Sequence, residues 1–199
     1  MAEEPHQDEE LVPAEEPAET PGYKPPAKKT LEEIKQLDEE DESLKKYKEQ
    51  LLKGAEGAVK DPSKGPEMKP IKITLMSEGR EDKTVDLTDL EALKKHSFVI
   101  KEGVEYKIKI TFQVYNDIVC GLKYMQTTHK KGIAVDKQKI MMGSYGPKTE
   151  DQEYTTPTQD APKGLLGRGS YVIKSKFQDD DKNEYAAWAW NFEIKKDWD

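Results

Sequence analysis

Cysteine, histidine and long apolar runs are all scarce in this sequence of 199 residues. The single cysteine, Cys120, lies in an apolar strand pattern and cannot form an internal disulfide bond, so nothing points to an oxidising compartment. The three histidines, His6, His96 and His129, are scattered and give no zinc-binding spacing. No segment approaches the roughly 18 apolar residues of a membrane span, and no apolar signal segment opens the chain. We therefore expect a cytoplasmic protein without stable membrane insertion.

Motifs for catalysis and for phosphate binding are also missing. The sequence has no Gly-x-Ser-x-Gly, no glycine-rich phosphate loop and no Cys/His pair in a recognisable context. The acidic triplet Asp179–Asp181 precedes Lys182-Asn183, which is more typical of a solvated hairpin turn than of a cation site. We predict that the protein is not an enzyme and that it needs neither a metal ion nor a cofactor.

The excess of negative charge is confined to the N-terminal segment. Residues 1–22 carry eight carboxylates and no Lys or Arg, and the net charge of the whole chain is −8, so the remainder is neutral. That balance leaves no basic patch for nucleic acid. A segment so poor in large apolar groups cannot offset an ordering cost of about 1–2 kcal/mol per residue. We predict a disordered acidic tail over residues 1–22, either solubilising or attracting a basic partner.

Two short amphipathic helices are predicted within an arm over residues 23–64. A capping box at Thr30 and Glu33 indicates a first helix from Leu31. A second apolar stripe ends at Gly54, a residue typical of a helix C-cap. Each helix is shorter than the roughly 12–15 residues that are stable in water, so each stripe needs a surface to pack on. The residues of the second stripe are Leu44, Tyr47, Leu51 and Leu52.

The apolar period changes from helical to alternating beyond a Gly-, Pro- and Lys-rich linker over Lys53–Pro70. Such alternation in seven or more segments, separated by turn signals, predicts an antiparallel β-sandwich of the immunoglobulin class over residues 65–199. Trp188 and Trp190 share one face, but alternation alone does not distinguish a filled core from a lipid pocket between the sheets. The predicted strands are Ile71–Met76, Phe98–Ile100, Val104–Val114, Ile118–Thr128, Ile133–Met142, Tyr171–Phe177 and Trp188–Ile194.

Several motifs, in this order, carry a resemblance to a known family. They are Tyr23-Lys-Pro-Pro26, Asp41-Glu-Ser-Leu44 with Lys46-Tyr47-Lys48, Phe98-Val-Ile-Lys-Glu-Gly-Val-Glu-Tyr106, Gly143-Ser-Tyr-Gly-Pro147, Ala161-Pro-Lys-Gly164, Arg168-Gly-Ser170, Asp179-Asp-Asp-Lys182 and Ile194-Lys-Lys-Asp-Trp198. Each is weak alone, but together they are highly specific. From Tyr23 to Asp199 the sequence resembles the Rho GDP-dissociation inhibitor family.

The resemblance implies a mainly β protein with two functional parts, a regulatory arm and an immunoglobulin-like domain. The helical hairpin of the arm would clamp the switch regions of a Rho-family GTPase. The sandwich would take the GTPase's geranylgeranyl group between its sheets. The implied partner is a prenylated Rho-family GTPase, bound by a monomer as a 1:1 heterodimer.

The resemblance also implies roles for individual residues. Asp41, Ser43 and Tyr47 would contact the switch regions. The lipid pocket would be lined by Leu75, Phe98, Tyr106, Ile118 and Trp190. The pocket rim or the GTPase-facing surface would include Gln126, Asp136, Asp181 and Trp188. Ser97 and Ser170 match positions where the family is regulated by phosphorylation.

Two other functions remain open at this point. A general carrier of prenylated proteins would use the same pocket without control of the switch regions. A structural interaction module would have a filled core and no lipid site.

Overall fold

Two β-sheets packed face to face make up most of the protein. The architecture comes from a computed structural model, which describes residues 42–61, 63–89, 93 and 97–198. The predicted acidic tail and the predicted first helix lie outside these residues. The elements are α1 (Glu42–Leu52), β1 (Glu67–Ser77), β2 (Lys83–Asp86), β3 (Ser97–Lys101), β4 (Glu105–Tyr115), β5 (Val119–Lys130), β6 (Ile133–Tyr145), β7 (Gln152–Thr155), β8 (Gln159–Asp160), β9 (Gly169–Gln178) and β10 (Glu184–Lys195).

The first sheet is built around β4. Its strand order is β2-β1-β4-β7, and the short β8 also pairs with the start of β4. All of these pairs are antiparallel. The alternation in β4 gives one buried face and one wetter face, as the sequence predicts. The buried face carries Tyr106, Ile108, Ile110, Phe112 and Val114.

The second sheet has the order β3-β10-β9-β5-β6. It is antiparallel except for the parallel pair β3 and β10. Its inner face supplies most of the aromatic side chains of the core, and Trp188 and Trp190 both lie on that face, as predicted. The prediction of an immunoglobulin-like antiparallel sandwich is therefore confirmed. The aromatic residues of this face are Phe98, Tyr124, Tyr171, Phe177, Trp188, Trp190 and Phe192.

The structure contains three short strands that the sequence did not indicate, and one strand starts earlier than predicted. β2, β7 and β8 have two to four residues each and lack an apolar alternation. β1 begins at Glu67, inside the predicted linker, and its register with β4 shifts between Pro70 and Lys72. A bulge at this point accommodates a proline within a paired strand. The linker is thus four residues shorter than Lys53–Pro70.

The rest of the predicted linker packs on the sandwich. Ala58 is fully buried, and its carbonyl accepts a hydrogen bond of 3.2 Å from the Asn116 amide. The Asn116 side chain in turn accepts from the amides of Lys60 and Asp61, at 3.1 and 3.2 Å. This segment is fixed to the connection between β4 and β5.

α1 confirms the predicted second helix and the predicted C-cap, since Gly54 has a φ of 88°. The C-terminal end of α1 touches the sandwich at Gly146, just after β6. A Cβ atom at Gly146 would lie 1.6 Å from the carbonyl oxygen of Leu51, so only glycine allows this approach. The N-terminal half is open to solvent, with Leu44 and Tyr47 43% and 49% exposed. Within the described part of the chain, no helix is long and apolar enough to cross a membrane.

One sequence-based interpretation needs correction, the solvated turn at the acidic triplet, and one residue of an apolar segment proves to be exposed. Cys120 is exposed, although its strand is apolar, because the register of β5 shifts between Val119 and Leu122 and turns its side chain outward. Asp179 in the turn between β9 and β10 is buried rather than solvated. It accepts hydrogen bonds from the amide and side chain of Asn183, both 2.8 Å, and from the Tyr185 hydroxyl at 2.6 Å. These bonds account for its burial.

Candidate functional site

A cavity of about 650 Å³ lies between the sheets where β4 begins. Both sheets and the loop between β8 and β9 contribute to its wall. Its volume falls within the range of small-molecule sites, roughly 300–1,000 Å³. We call this side of the sandwich the open end. The lining residues are Tyr106, Thr128, Lys130, Val135, Asp136, Gln138, Thr158, Gln159, Asp160, Pro162, Lys163, Leu166, Gly167, Tyr171 and Phe192.

The apolar part of the cavity wall is aromatic. Tyr171 and Phe192 are both 4% exposed, and their rings stack with centroids 4.9 Å apart. Tyr106 approaches from the first sheet, and burial, followed by the charges of Asp136 and Asp160, raises the pKa of its hydroxyl to about 12. Tyr106 is therefore a neutral hydrogen-bond donor at physiological pH. A ligand in this cavity would meet flat apolar rings from one sheet and a phenol from the other.

Polar side chains surround the mouth of the cavity in one connected chain. Gln138 donates to the Asp136 carboxylate at 3.0 Å and to the Gln159 side-chain oxygen at 3.3 Å. The same Gln159 oxygen accepts from the Tyr106 hydroxyl at 3.0 Å. The mouth therefore differs chemically from the aromatic wall.

The loop that closes one side of the cavity is held by an ion pair. Arg168 donates to the Glu102 carboxylate through Nε at 2.8 Å and through a terminal nitrogen at 2.7 Å. The Gly164 amide donates to the same carboxylate at 2.8 Å. Hydrogen bonding by Arg168 lowers the pKa of Glu102. This paired geometry fixes the loop while leaving Leu165 and Leu166 81% and 85% exposed beside the cavity.

Lys130 ties the same loop to the second sheet. Its ammonium group contacts the Leu166 carbonyl, and it donates to the Arg168 carbonyl at 2.9 Å and to the Tyr171 hydroxyl at 3.1 Å. Tyr171 donates its own hydrogen bond to the Gly167 carbonyl at 2.6 Å. Lys130 thus positions the loop.

Four of the five predicted lipid-pocket residues lie at or next to the cavity. Tyr106 lines it. Phe98 is the register partner of Phe192, and Trp190 packs edge-on against Phe98 with centroids 5.5 Å apart. Leu75 pairs with Ile108, two residues along β4 from Tyr106. Phe98, Trp190 and Leu75 therefore form the layer behind the cavity wall.

The fifth predicted pocket residue is at the other side of the sandwich. Ile118 precedes β5, close to Cys120, whose carbonyl accepts a hydrogen bond of 3.1 Å from the Asp180 amide. We call this side the closed end. The closed end lies beyond Tyr115, at the end of β4, whereas Tyr106 marks the open end. At about 3.3 Å per residue, these two tyrosines are separated by roughly 30 Å along the strand. The structure does not bring Ile118 to the cavity.

The predicted rim residues also separate. Asp136 lines the cavity, whereas Asp181 lies in the turn at the closed end. Gln126 and Trp188, expected at the rim or on the GTPase-facing surface, are instead buried at 3% and 7% exposure. Both are on inward-facing positions of their strands, and Gln126 is satisfied there by a 3.0 Å hydrogen bond from the Tyr124 hydroxyl. The alternation predicts the inward position of Trp188, and neither side chain reaches the surface in this structure.

The predicted switch-contact residues fall on α1 or just before it. Ser43 and Tyr47 lie in α1 and are exposed, and Asp41 is outside the described residues. The predicted phosphorylation sites Ser97 and Ser170 are also exposed. They lie on the outer face of the second sheet, in β3 and β9, on either side of β10. Both side chains are therefore accessible without opening the core, and their phosphorylation stays a prediction.

Several cavity residues were not found from the sequence. Phe192 was on the predicted inner face beside Trp190, so its period could have identified it. Gln138 and Gln159 gave no such signal, because polar residues in or near edge strands resemble any solvated surface. In the part of the chain that the structure describes, no cluster of three or more His, Cys, Asp or Glu side chains is arranged to hold a metal ion.

Comparisons with known proteins give the family. Residues 6–197 match the family described as RHO protein GDP dissociation inhibitor. Rho GDP-dissociation inhibitor 1 of Homo sapiens is 52% identical over 186 residues, covering 92% of this chain and 90% of that protein. Rho GDP-dissociation inhibitor 3 of Bos taurus is 48% identical over 181 residues, covering 90% and 80%.

A solved structure of a Niemann-Pick type C2 protein from Japanese carpenter ant is similar at a TM-score of 0.42 with 14% identity, over 66% of this chain and 96% of that chain. The match to the family over nearly the whole sequence, and the identities to two of its members, show that this chain belongs to the Rho GDP-dissociation inhibitor family.

Proposed function

We propose that this protein is a GDP-dissociation inhibitor of Rho-family small GTPases, a regulator rather than a catalyst. The arm, residues 23–64, binds the switch regions of the GTPase. The sandwich, residues 65–199, takes the geranylgeranyl group and so keeps the GTPase in the cytoplasm. The observation that carries the lipid part is the cavity between the sheets, with an aromatic wall and a polar mouth.

The size and lining of the cavity support an isoprenoid as its ligand. Burial of apolar carbon contributes up to about 0.8 kcal/mol per CH₂, so an isoprenoid chain supplies on the order of 10 kcal/mol. That is enough to compete with a bilayer for a single lipid anchor. The layer formed by Leu75, Phe98 and Trp190 behind the wall is where a longer chain would extend if these side chains repack.

The exposed apolar half of α1 supports the second part of the proposal. Leu44 and Tyr47 are large, exposed and on one face of a helix that ends against the sandwich. An exposed apolar stripe of this kind suits the groove of a partner protein. We assign Asp41, Ser43 and Tyr47 as switch contacts that oppose the opening through which nucleotide leaves. Asp181 at the closed end is assigned to the same GTPase-facing surface.

The test is extraction of a geranylgeranylated Rho-type GTPase from liposomes, combined with measurement of GDP release. The full chain is compared with a truncation that begins at Gly54, which keeps the buried Ala58, and with the Tyr47→Ala substitution in the full chain. We expect the full chain to extract the GTPase and slow GDP release. Both variants should extract less and lose most of the effect on GDP release.

The same experiment separates the two other functions. Equal extraction by the full chain and the truncation, without any effect on GDP release, indicates a general carrier of prenylated proteins. Equal binding to prenylated and unprenylated GTPase indicates an interaction module with a filled core. Either result contradicts the proposal. Trp190→Ala provides a control on the lipid side, since it should weaken extraction while GDP release from unprenylated GTPase remains slowed.

A further inference from the structure

The loop between β8 and β9 presents two leucines to solvent at the tip of a tight turn. The Gly164 carbonyl accepts hydrogen bonds from the amides of Gly167 and Arg168, at 3.0 and 3.2 Å, so Leu165 and Leu166 occupy the central positions of that turn. Such positions are usually taken by Gly, Pro, Asn, Asp or Ser. Both leucines are more than 80% exposed. The geometry of the turn therefore does not explain why apolar side chains stand there.

A second turn places another exposed apolar side chain beside the leucines. It connects β5 to β6, and Ile133, which follows it, is 70% exposed. Ile133 pairs with Lys130 in the strand ladder, and the Lys130 ammonium group contacts the Leu166 carbonyl. The two turns are thus joined at the open end. We call Ile133, Leu165 and Leu166 together the open-end patch.

The exposure of the leucines is built into the fold. The Glu102 carboxylate holds the loop through Gly164 and Arg168, and Lys130 holds it from the second sheet, so the turn is fixed at both of its ends. Single exposed apolar residues are common, but a group of them on one surface marks a contact with a partner or a membrane. The patch therefore needs an occupant.

The charges around the patch favour a lipid surface. The two turns, residues 129–134 and 161–169, carry Lys130, Lys131, Lys163 and Arg168 and no carboxylate. Of the acidic groups nearby, Glu102 is paired with Arg168, and Asp136 and Asp160 line the cavity. The cytoplasmic leaflet of a membrane is negative and attracts lysines at its surface.

The residue types also favour lipid over protein. The cores of protein interfaces are enriched in aromatic residues and depleted in lysine, whereas these two turns contain no Trp, Tyr or Phe. Leucine together with lysine is typical of segments that lie in the membrane interface. The occupant that fits best is the surface of an anionic bilayer.

We propose that the open-end patch touches an anionic bilayer while the isoprenoid passes between the membrane and the cavity. This inference rests on the proposed function, since it assumes that the cavity takes the lipid. Leu166 belongs to both the patch and the cavity wall, so the contact brings the cavity to the membrane surface. Three aliphatic side chains cannot anchor a protein, and a net charge of −8 opposes adsorption, so the contact is brief.

A brief contact has a kinetic signature. The patch touches lipid only during transfer, and neither in the soluble complex nor when the GTPase is back in the membrane. Loss of the patch therefore slows extraction and delivery by the same factor and leaves the equilibrium between membrane and solution unchanged. A residue that holds the isoprenoid in the cavity would instead shift that equilibrium.

The test measures both rates for a geranylgeranylated Rho-type GTPase on vesicles of phosphatidylcholine with phosphatidylserine. The full chain is compared with Leu165→Ser and Ile133→Ser, because neither residue lines the cavity. We expect each substitution to slow extraction and delivery equally, by about three- to tenfold, since an interface buries only part of such a side chain. The extent of extraction at equilibrium should not change.

Two further variants test the charge and the location. Lys131→Gln should slow both rates about fivefold on these vesicles and have no effect on vesicles of phosphatidylcholine alone. Met141→Ser is the matched control, because Met141 is 54% exposed on β6 but lies roughly 25 Å along the strand from Ile133, at about 3.3 Å per residue. Both of its rates should equal those of the unmodified chain.

The outcomes separate this inference from the function on which it rests. If the unmodified chain extracts no GTPase and binds no soluble fluorescent isoprenoid, the proposed function is wrong, and this inference fails with it. If it extracts the GTPase and Leu165→Ser and Ile133→Ser transfer it at the original rates, the membrane contact is wrong and the function stands. A changed equilibrium with unchanged delivery would also overturn the membrane contact.

Two other occupants of the patch are covered by the same variants. Weaker binding of unprenylated GTPase by Leu165→Ser would assign the patch to the GTPase. A dimer of the unmodified chain that Leu165→Ser dissociates, measured by analytical ultracentrifugation, would assign it to a second copy. Either result contradicts the proposal.

Discussion

The open end and the closed end are built from the same two sheets, but the open end encloses a cavity and the closed end is filled by side chains. At the open end, Tyr106, Tyr171 and Phe192 surround a cavity. At the closed end, Phe177 fills the interior between Tyr124 and Trp188, with centroids 5.5 and 5.1 Å away. α1 also reaches the sandwich at this end, beside Gly146. The comparison shows that alternating strands specify the sheets, while the residue at each inward position decides whether the space is filled.

The closed end should carry most of the stability. Phe177→Ala removes a fully buried ring from a well-packed aromatic cluster. We expect a loss of about 3–5 kcal/mol in the free energy of unfolding, measured by urea denaturation. The affinity of the remaining folded protein for an isoprenoid should not change. A large loss of that affinity at full folding would show that the lipid reaches the closed end, against our account.

The docking of α1 depends on the close approach at Gly146. Gly146→Ala places a methyl group against the Leu51 carbonyl, and backbone atoms cannot move aside easily. We expect overpacking to cost about 1–3 kcal/mol, and the end of α1 to move from the sandwich. GDP release from the GTPase should then be less inhibited, whereas isoprenoid affinity should stay the same. Gly132→Ala is a matched control because its Cβ would meet nothing within 4 Å.

An unchanged GDP release rate with Gly146→Ala would mean that α1 acts independently of its contact with the sandwich. Both glycines have to be compared at equal folded fraction, which circular dichroism provides. Gly132 has a positive φ of 83°, so Gly132→Ala is itself destabilised by backbone strain. Comparison at equal folded fraction removes this effect on stability from the measured GDP release.

The loop at the open end should loosen in acid. The pKa of Glu102 is lowered by the hydrogen bonds from Arg168, so the folded state binds its proton more weakly than the unfolded chain does. The stabilisation by this pair is complete above the ordinary carboxyl pKa near 4.5 and is lost as pH falls through the lowered value. The protection factor of the Gly164 amide, which is the intrinsic exchange rate at each pH divided by the observed rate, should therefore fall below about pH 4.5 and remain constant from pH 5 to 7.

Glu102→Gln should have a lower protection factor at Gly164 at neutral pH, with little further change of that factor in acid. The effect on global stability should be small because the pair is at the surface. A substituted protein with the same protection as the original would show that the loop does not depend on the ion pair.

The long strands and the core were predictable from sequence because burial leaves a period of two in β4, β9 and β10. The strands β2, β7 and β8 were not, because they pair on the outside of β1 or β4 and bury little apolar surface. The register shift near Gly121 that exposes Cys120 depends on how β5 pairs with β6, and the alternation of apolar residues does not reveal it. The family motifs identified Tyr106, but the place of Gln159 in the polar mouth became visible only from the hydrogen bonds around it.

The central claim is that the isoprenoid enters the open end. The most direct measurement is an amide NMR spectrum of the full chain with a spin-labelled geranylgeranyl thioether bound. The account predicts that signals of Tyr106, Thr128, Tyr171 and Phe192 broaden strongly, while those of Val119 and Phe177 at the closed end stay sharp. Strong broadening at Val119 and Phe177, or no selective broadening on either side, would contradict it.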